Sequence, residues 1–128
     1  MTESPVSSRA LALRAAELLA DQKAAEIVII DVSENSSIGD YFVVATGRSD
    51  VHVKAACGAV EIGLREYGRR PLSSEGVQNG HWALLDYGEV VVHVFQHATR
   101  QLYDLERLWN ESPRETFFEG PTAAATRR

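Results

Sequence analysis

The chain has 128 residues, one cysteine and a formal net charge of −5. This length is enough for one domain whose core needs no disulfide or structural metal. The single cysteine excludes an intramolecular disulfide and any CxxC zinc motif, and it is typical of the reducing cytoplasm. The acidic charge disfavours binding to a nucleic-acid backbone and favours a basic protein as the partner.

A membrane partner is not predicted either. No apolar run approaches the ~18 residues that a membrane span requires, and the first residues lack the pattern of a signal peptide. We therefore expect a cytoplasmic protein.

Hydrophobic periodicity predicts eight elements in the order α-β-β-α-β-β-β-α. After a flexible leader at residues 1–7, apolar residues at helical spacing predict helices at 8–23, 50–67 and 99–109. Bounded β-rich runs predict strands at 26–32, 40–46, 81–86 and 89–95. Gly68 ends the second helix and Pro71 prevents its continuation, so the segment up to Glu75 is expected to be a short strand, suited to an edge. Ser49 or Asp50 can cap the second helix. The buried stripe of this helix is expected to contain Val53, Cys57, Val60 and Leu64.

These elements predict a single-domain α/β fold with a mixed, mostly five-stranded sheet flanked by helices. The strands at 81–86 and 89–95 are so close that an antiparallel hairpin is expected, whereas the helices between other strands permit parallel pairing. The domain is expected to span residues 1–112. Residues 113–128 are polar and then rich in alanine and threonine, so they are predicted to form a disordered tail.

The tight loop leaves two registers open for the hairpin. A two-residue loop of Tyr87 and Gly88 would place Asp86 opposite Glu89 and would give Tyr87 a positive φ, and both features are unfavourable. A three-residue loop with Gly88 in the left-handed region avoids both, and we prefer it. It places Trp82 and Leu84 on one face with Val90, Val92 and Val94, and it places Ala83, Leu85, Val91, His93 and Phe95 on the other. Both faces are then apolar, which favours helices on one side and another cover, such as a partner, on the other.

Few patterns in the sequence are typical of catalysis. The run GRSD at 47–50 follows a strand, as the phosphate-holding turn of nucleotidyltransferases does, but no Asp-x-Asp or Asp-x-Glu pair follows it. His93 and His97 lie on a strand and its exit, where their rings would not converge on a zinc ion. Ser37 and Asp40 lie near strand ends, where turn and cap chemistry is the simpler interpretation. We expect no metal and no other cofactor.

Several longer motifs occur together in this chain. They are Asp31, SSIGDYFVVATG at 36–47, EG at 75–76, Trp82, DYGEVVVHVF at 86–95 and RQLYDLERLW at 100–109. In this order and spacing, the stretch from about Leu11 to Trp109 resembles the ribosomal silencing factor family, also called RsfS or Iojap.

The resemblance implies a non-enzymatic factor with a nucleotidyltransferase-like fold that lacks the catalytic carboxylates. Such a factor binds the large ribosomal subunit through its fourteenth protein, at the face where the small subunit docks. Occupying that face blocks subunit joining and represses translation under nutrient limitation. An acidic factor also complements a basic ribosomal protein. A degenerate or active nucleotidyltransferase-like protein and an adaptor for another basic protein remain as alternatives.

The resemblance also implies where the partner would bind. We expect the contact surface on the hairpin and its neighbours, at Trp82, Leu84, Asp86, Tyr87 and Glu89, supported by His93 and by the loop that contains Ser37 and Asp40. Trp82 and Tyr87 are the expected aromatic anchors. The last helix is expected to use Tyr103, Leu105 and Trp109 for packing. The apolar sheet face could also pair with itself, giving a homodimer when no ribosome is present.

Overall fold

The computed structural model describes residues 7–34 and 39–118. Its helices are α1 (Ser8–Asp21), α2 (Asp50–Arg65), α3 (His97–Tyr103) and α4 (Leu105–Leu108). Its strands are β1 (Ala25–Asp31), β2 (Tyr41–Gly47), β3 (Ser73–Glu75), β4 (Trp82–Asp86), β5 (Val90–Gln96) and β6 (Arg114–Phe118). The predicted elements up to β5 are confirmed within a few residues at each end.

The described strands form one six-stranded sheet in the order β3-β4-β5-β2-β1-β6. Strands β2 and β5 pair in parallel, and the other neighbours pair antiparallel. The single-domain α/β fold with a mixed sheet is therefore confirmed, and β3 lies at an edge as a short strand. Helices α1 and α2 pack together on one face of this sheet, where the larger of the two hydrophobic clusters lies.

Serine caps start both long helices. The Ser7 hydroxyl accepts a hydrogen bond from the Ala10 N–H at 3.1 Å, and the Ser49 hydroxyl accepts one from the His52 N–H at 3.1 Å. The predicted stripe of α2 is buried against the sheet, including Cys57. Burial raises the pKa of the Cys57 thiol to about 12, so it remains protonated and behaves as a small core residue.

The sixth strand is a correction to the predicted fold. The sequence predicted five strands and a disordered tail at 113–128, but Arg114–Phe118 pairs antiparallel with β1. Phe117 packs against the core, and Glu115 forms an ion pair with Arg9 of α1 at 2.7 Å. These tertiary contacts stabilise a segment too short to predict from its own pattern. The remaining tail residues, 119–128, and residues 1–6 of the predicted leader lie outside the described residues.

The segment after β5 also differs from the prediction. One helix was expected at 99–109, but Asp104 adopts a left-handed conformation with φ of 48° and separates α3 from α4. The chain therefore turns after Tyr103 and brings Glu106 back to Arg100. The guanidinium of Arg100 donates from Nε and Nη2 to the two carboxylate oxygens of Glu106, each at 2.9 Å.

Arg100 also connects this segment to the sheet. Its Nη1 donates to the backbone oxygen of Glu26 and to the Thr46 hydroxyl, each at 2.8 Å. The residue is only 8% exposed. The bond from the guanidinium holds the pKa of the Glu106 carboxyl below its usual range. One buried cation therefore joins α3, α4, β1 and β2.

We expect Arg100→Ala to lower the free energy of unfolding by about 3 kcal/mol, because it leaves a partly buried carboxylate and two further acceptors unpaired. Urea denaturation of the purified protein measures this loss. Arg14→Ala is the control, because Arg14 forms an exposed ion pair with Glu17 and its removal should cause little change. Equal losses in the two variants would contradict the structural role of Arg100.

Candidate functional site

The hairpin has a register that neither sequence alternative gave. Trp82 lies opposite Phe95, Leu84 lies opposite His93, and Asp86 lies opposite Val91. The turn has Gly88 and Glu89 as its central residues, and the Tyr87 N–H donates to the Val90 oxygen at 2.9 Å. The preference for a three-residue loop was therefore wrong, although the left-handed Gly88 is confirmed by its φ of 90°.

Local hydrogen bonds explain this register. The Asp86 carboxylate accepts the Gly88 N–H at 2.8 Å, and Glu89 forms an ion pair with Arg69 at 2.6 Å. The two acidic side chains are thus engaged with different partners and do not face each other. Because a shift of one residue reverses the faces of a strand, Trp82 and Leu84 share their face with Val91, His93 and Phe95.

This second face of the sheet carries its own apolar cluster. The buried members come from the three strands β1, β2 and β5 or their ends. Partly buried residues pack against them from β4, which contributes Trp82 and Leu84, and from α4 and the following residue, which contribute Leu105 and Trp109. Trp109 contacts Phe42 edge-on, with ring centroids 5.4 Å apart. The predicted packing roles of Leu105 and Trp109 agree with these contacts.

Trp82 lies at the margin of that cluster and is only partly buried. Its indole stacks on Phe95, with ring centroids 4.9 Å apart and an interplanar angle of 24°. Tyr103 contacts it at a centroid distance of 4.8 Å. The indole Nε1–H donates to Nδ1 of His93 at 3.1 Å. Trp82 is thus held in one orientation from three directions.

His93 lies beneath this indole and is 4% exposed. Because the indole nitrogen can only donate, Nδ1 of His93 must be the acceptor and the ring proton lies on Nε2. Nε2 has no hydrogen-bond partner among the described residues. Burial lowers the pKa of His93 to about 4, so the ring is neutral at physiological pH. His93 supports Trp82 from within the fold and does not itself present a surface.

The exposed side of Trp82 lies in an aromatic groove, defined by Trp82, Leu102 and Tyr103. Leu102 is 78% exposed and Tyr103 is 54% exposed. The groove has a volume of about 400 Å³ and is also lined by Gly76, Asn79, His81 and Thr99. The assignment of Tyr103 to helix packing agrees with its contact to Trp82, but the expectation that it lies in the core was wrong, because half of its surface is in solvent.

Tyr87 is the main correction among the expected contact residues. Its side chain is 2% exposed and belongs to the core beneath α2. Burial raises the pKa of its phenol to about 12, and the hydroxyl has no hydrogen-bond partner among the described residues. It therefore cannot anchor a partner while the hairpin keeps this register.

The other expected contacts lie away from the aromatic groove. Asp86 ends β4 four residues beyond Trp82, a separation of roughly 13 Å along a strand. Asp40 lies near the same turn, since its N–H donates to the Glu89 oxygen at 2.7 Å and its carboxylate accepts a bond from Ser8 at 2.9 Å. Leu84 is partly exposed between the two regions.

The structure thus brings Asp40, Asp86 and Glu89 together at the turn, separately from Trp82. The expected support from Ser37 lies outside the described residues. Leu102 and Tyr103 are surface residues that the sequence pattern did not predict. Their adjacent positions on one short helix indicated that at least one of them is exposed, since adjacent residues cannot both lie on the same narrow buried stripe.

No group of three or more histidine, cysteine, aspartate or glutamate side chains that could hold a metal ion occurs within residues 7–34 and 39–118. Across the same ranges, no helix is long and apolar enough to span a bilayer. What the described surface offers is an aromatic groove at one end of the hairpin and carboxylates at the other. This arrangement is suited to macromolecular contact.

We expect stability to depend on pH through His93. The pKa of the ring falls from 6.5 when unfolded to about 4 in the fold, so the unfolded chain binds more protons between these values. The contribution of His93 to the free energy of unfolding is complete above the unfolded pKa of 6.5. It is lost as the pH falls to about 4, by up to about 3 kcal/mol.

Urea denaturation at about pH 7 and about pH 4, comparing the natural chain with His93→Leu, measures this effect. Depressed carboxyl pKa values, as at Asp31, Glu89 and Glu106, affect both proteins equally and cancel in the difference. The natural chain should lose more stability on acidification than the variant. Equal losses would show that the buried imidazole does not resist protonation.

Comparison with known proteins identifies the family of this chain. A family model described as "Ribosomal silencing factor during starvation" matches residues 5–128. A ribosomal silencing factor of Chromobacterium violaceum is 43% identical over 95 residues, which cover 74% of this chain and 78% of the relative. A more distant relative in Mus musculus, "Mitochondrial assembly of ribosomal large subunit protein 1", is 32% identical over 98 residues, covering 72% of this chain and 42% of that protein.

Solved structures support the same conclusion. A crystal structure of a Chromobacterium violaceum protein matches with a TM-score of 0.80 and 35% identity, covering 91% of this chain and 97% of that one. The range matched by the family model, residues 5–128, includes the hairpin and the residues that form the aromatic groove. On the family match and these identities, the chain belongs to the ribosomal silencing factor family.

Proposed function

We propose that this protein binds the large ribosomal subunit through its fourteenth protein, at the intersubunit face, and blocks joining of the small subunit. Translation is thereby repressed in the cytoplasm when nutrients are limiting. Family membership supports the silencing role. The name of the mouse relative, which refers to assembly of the ribosomal large subunit, supports the choice of subunit.

The observation that carries this proposal is the aromatic groove. Leu102 and Tyr103 are exposed beside a tryptophan that is fixed by stacking and by a hydrogen bond. Aromatic side chains that are already rigid supply large contact area at low entropic cost, and they dominate the energy of many interfaces. We therefore move the aromatic anchors from the predicted pair of Trp82 and Tyr87 to Trp82 and Tyr103.

The charge of the protein supports a basic partner. The net charge is −5, and Asp40 and Asp86 lie near the hairpin turn, where Glu89 is paired with Arg69. Carboxylates at the rim of an interface mainly increase the rate of association and its dependence on salt. Leu84 lies between this acidic end and the aromatic groove, so a single partner could contact both.

The proposed role involves steric occlusion and no catalysis. A nucleotidyltransferase would bind a nucleotide with magnesium, so heat on such a titration would favour that alternative. An adaptor for another basic protein would bind its partner in the absence of ribosomes. Among the described residues, no group of three or more metal-ligating side chains supports the magnesium-dependent alternative.

Sedimentation with isolated large and small subunits tests the proposal. We expect the protein to sediment with the large subunit alone. Trp82→Ala and Tyr103→Ala should each weaken binding about 30-fold, which corresponds to roughly 2 kcal/mol for a central aromatic anchor. Tyr87→Phe should bind normally, because the lost hydroxyl is buried and has no partner in the described structure.

Tyr67→Ala is the matched control, since Tyr67 follows α2 and is 40% exposed outside the aromatic groove. Each variant must first show the circular dichroism and unfolding transition of a folded protein. Sedimentation with neither subunit, or with the small subunit, would overturn the proposed function. Normal binding by both groove variants would instead place the contact elsewhere on the chain.

We also propose that the aromatic groove mediates a homodimer when the protein is free. An exposed leucine and tyrosine beside a tryptophan form an apolar patch that a second copy could cover through a twofold axis. Light scattering over a range of concentrations should show dimers, and Tyr103→Ala should shift the equilibrium to monomer. A monomer at every concentration would contradict this state.

A further inference from the structure

We propose that His93 is a positioning residue, whose Nδ1 fixes the orientation of the Trp82 indole and thereby sets the shape of the aromatic groove. The inference rests on the proposed function for the role of Trp82 in binding, but the positioning itself concerns the free protein. His93 contributes no contact of its own to the partner, because it is 4% exposed beneath the indole.

The hydrogen bond between Trp82 and His93 can form in only one direction. Trp82 has one polar atom, Nε1, which can only donate, and it donates to His93 at 3.1 Å. The two residues lie on neighbouring strands, where Leu84 is the direct cross-strand partner of His93 and Trp82 is the diagonal one. A diagonal pair is within reach of long side chains. The bond therefore selects one rotation of the indole about its side-chain torsions.

A histidine at this position is energetically unfavourable in one respect. Its Nε2–H is buried without a partner in the described structure, on a strand whose other residues in this stretch are valine and phenylalanine. An apolar side chain would fill this place with no unpaired polar atom of its own, but it would remove the acceptor of the indole N–H. The benefit of histidine at this position is therefore at its other nitrogen, which accepts the indole N–H.

The Trp82 indole lies between two further aromatic rings. Phe95 stacks on Trp82 from the sheet, and Tyr103 contacts it from α3. Stacking permits an aromatic ring to slide or rotate in its own plane, whereas a hydrogen bond at one edge does not. His93 thus adds the in-plane constraint that the two aromatic contacts lack.

Two substitutions separate positioning from packing. His93→Leu keeps a similar volume but removes the acceptor. His93→Asn keeps an acceptor, since its side-chain oxygen lies where the imidazole has Nδ1. Nitrogen NMR of labelled protein gives the direct measurement, because a coupling between Trp82 Nε1 and His93 Nδ1 exists only across a formed hydrogen bond. Trp109→Phe assigns the Trp82 indole signal by removing the other one.

In the natural chain we expect this coupling, together with a neutral ring protonated at Nε2. His93→Leu should remain as stable as the natural chain, or become more stable, while its indole signal shifts and its N–H exchanges faster. Its affinity for the large subunit should fall about tenfold, which is the effect expected for one hydrogen bond. His93→Asn should restore both the signal and the binding towards those of the natural chain.

An unchanged indole signal in a folded His93→Leu protein would overturn the positioning role. A shifted signal with unchanged subunit binding would overturn the claim that the orientation matters to the groove, provided that Trp82→Ala still weakens binding. If Trp82→Ala also binds normally, the proposed binding surface fails. The NMR comparison still decides the positioning role in that case, so the two failures can be distinguished.

Discussion

The buried guanidinium of Arg100 is the interaction on which the functional end of the molecule depends. Four hydrogen bonds join it to Glu106, to the Glu26 backbone and to Thr46. Burying a cation is unfavourable unless its donors are matched, and here four of its five N–H groups are. The bonds hold α3 and α4 against the sheet. Since Tyr103 lies one turn after Arg100, this attachment brings Tyr103 to Trp82.

The two faces of the sheet have different roles. One is covered by α1 and α2 and contains most of the apolar core, including Tyr87. The other is covered by two short helices and continues into the aromatic groove. A face with less helical cover loses some burial but leaves large side chains available to a partner. The unpaired buried atoms of Tyr87 and His93 lie on opposite faces: Tyr87 belongs to the core beneath α2, whereas His93 contacts Phe42 and Phe95 of the second cluster.

Aromatic contacts link the groove to the interior. Tyr103 contacts Trp82, Trp82 contacts Phe95 and His93, and His93 contacts Phe42. A partner that binds the outer rings therefore meets side chains whose rotamers are already fixed. Such preorganisation lowers the entropic cost of association. It also explains why a neutral histidine, which can accept a hydrogen bond, suits this interior position.

The amino-acid sequence alone was enough to predict the family, the order of the elements up to β5, a cap at Ser49 or Asp50 and the buried stripe of α2. These features depend on local periodicity and on motifs of several residues. The register of the hairpin, the sixth strand and the exposure of Tyr103 were decided only by the tertiary structure. A shift of one residue in the register reverses the faces of a strand, and two contacts favour the observed register. The Gly88 N–H donates to the Asp86 carboxylate, and Glu89 forms an ion pair with Arg69. Likewise, the break between α3 and α4 at Asp104 accompanies contacts of Arg100 with residues 54 and 74 positions away in the chain, which local periodicity does not report.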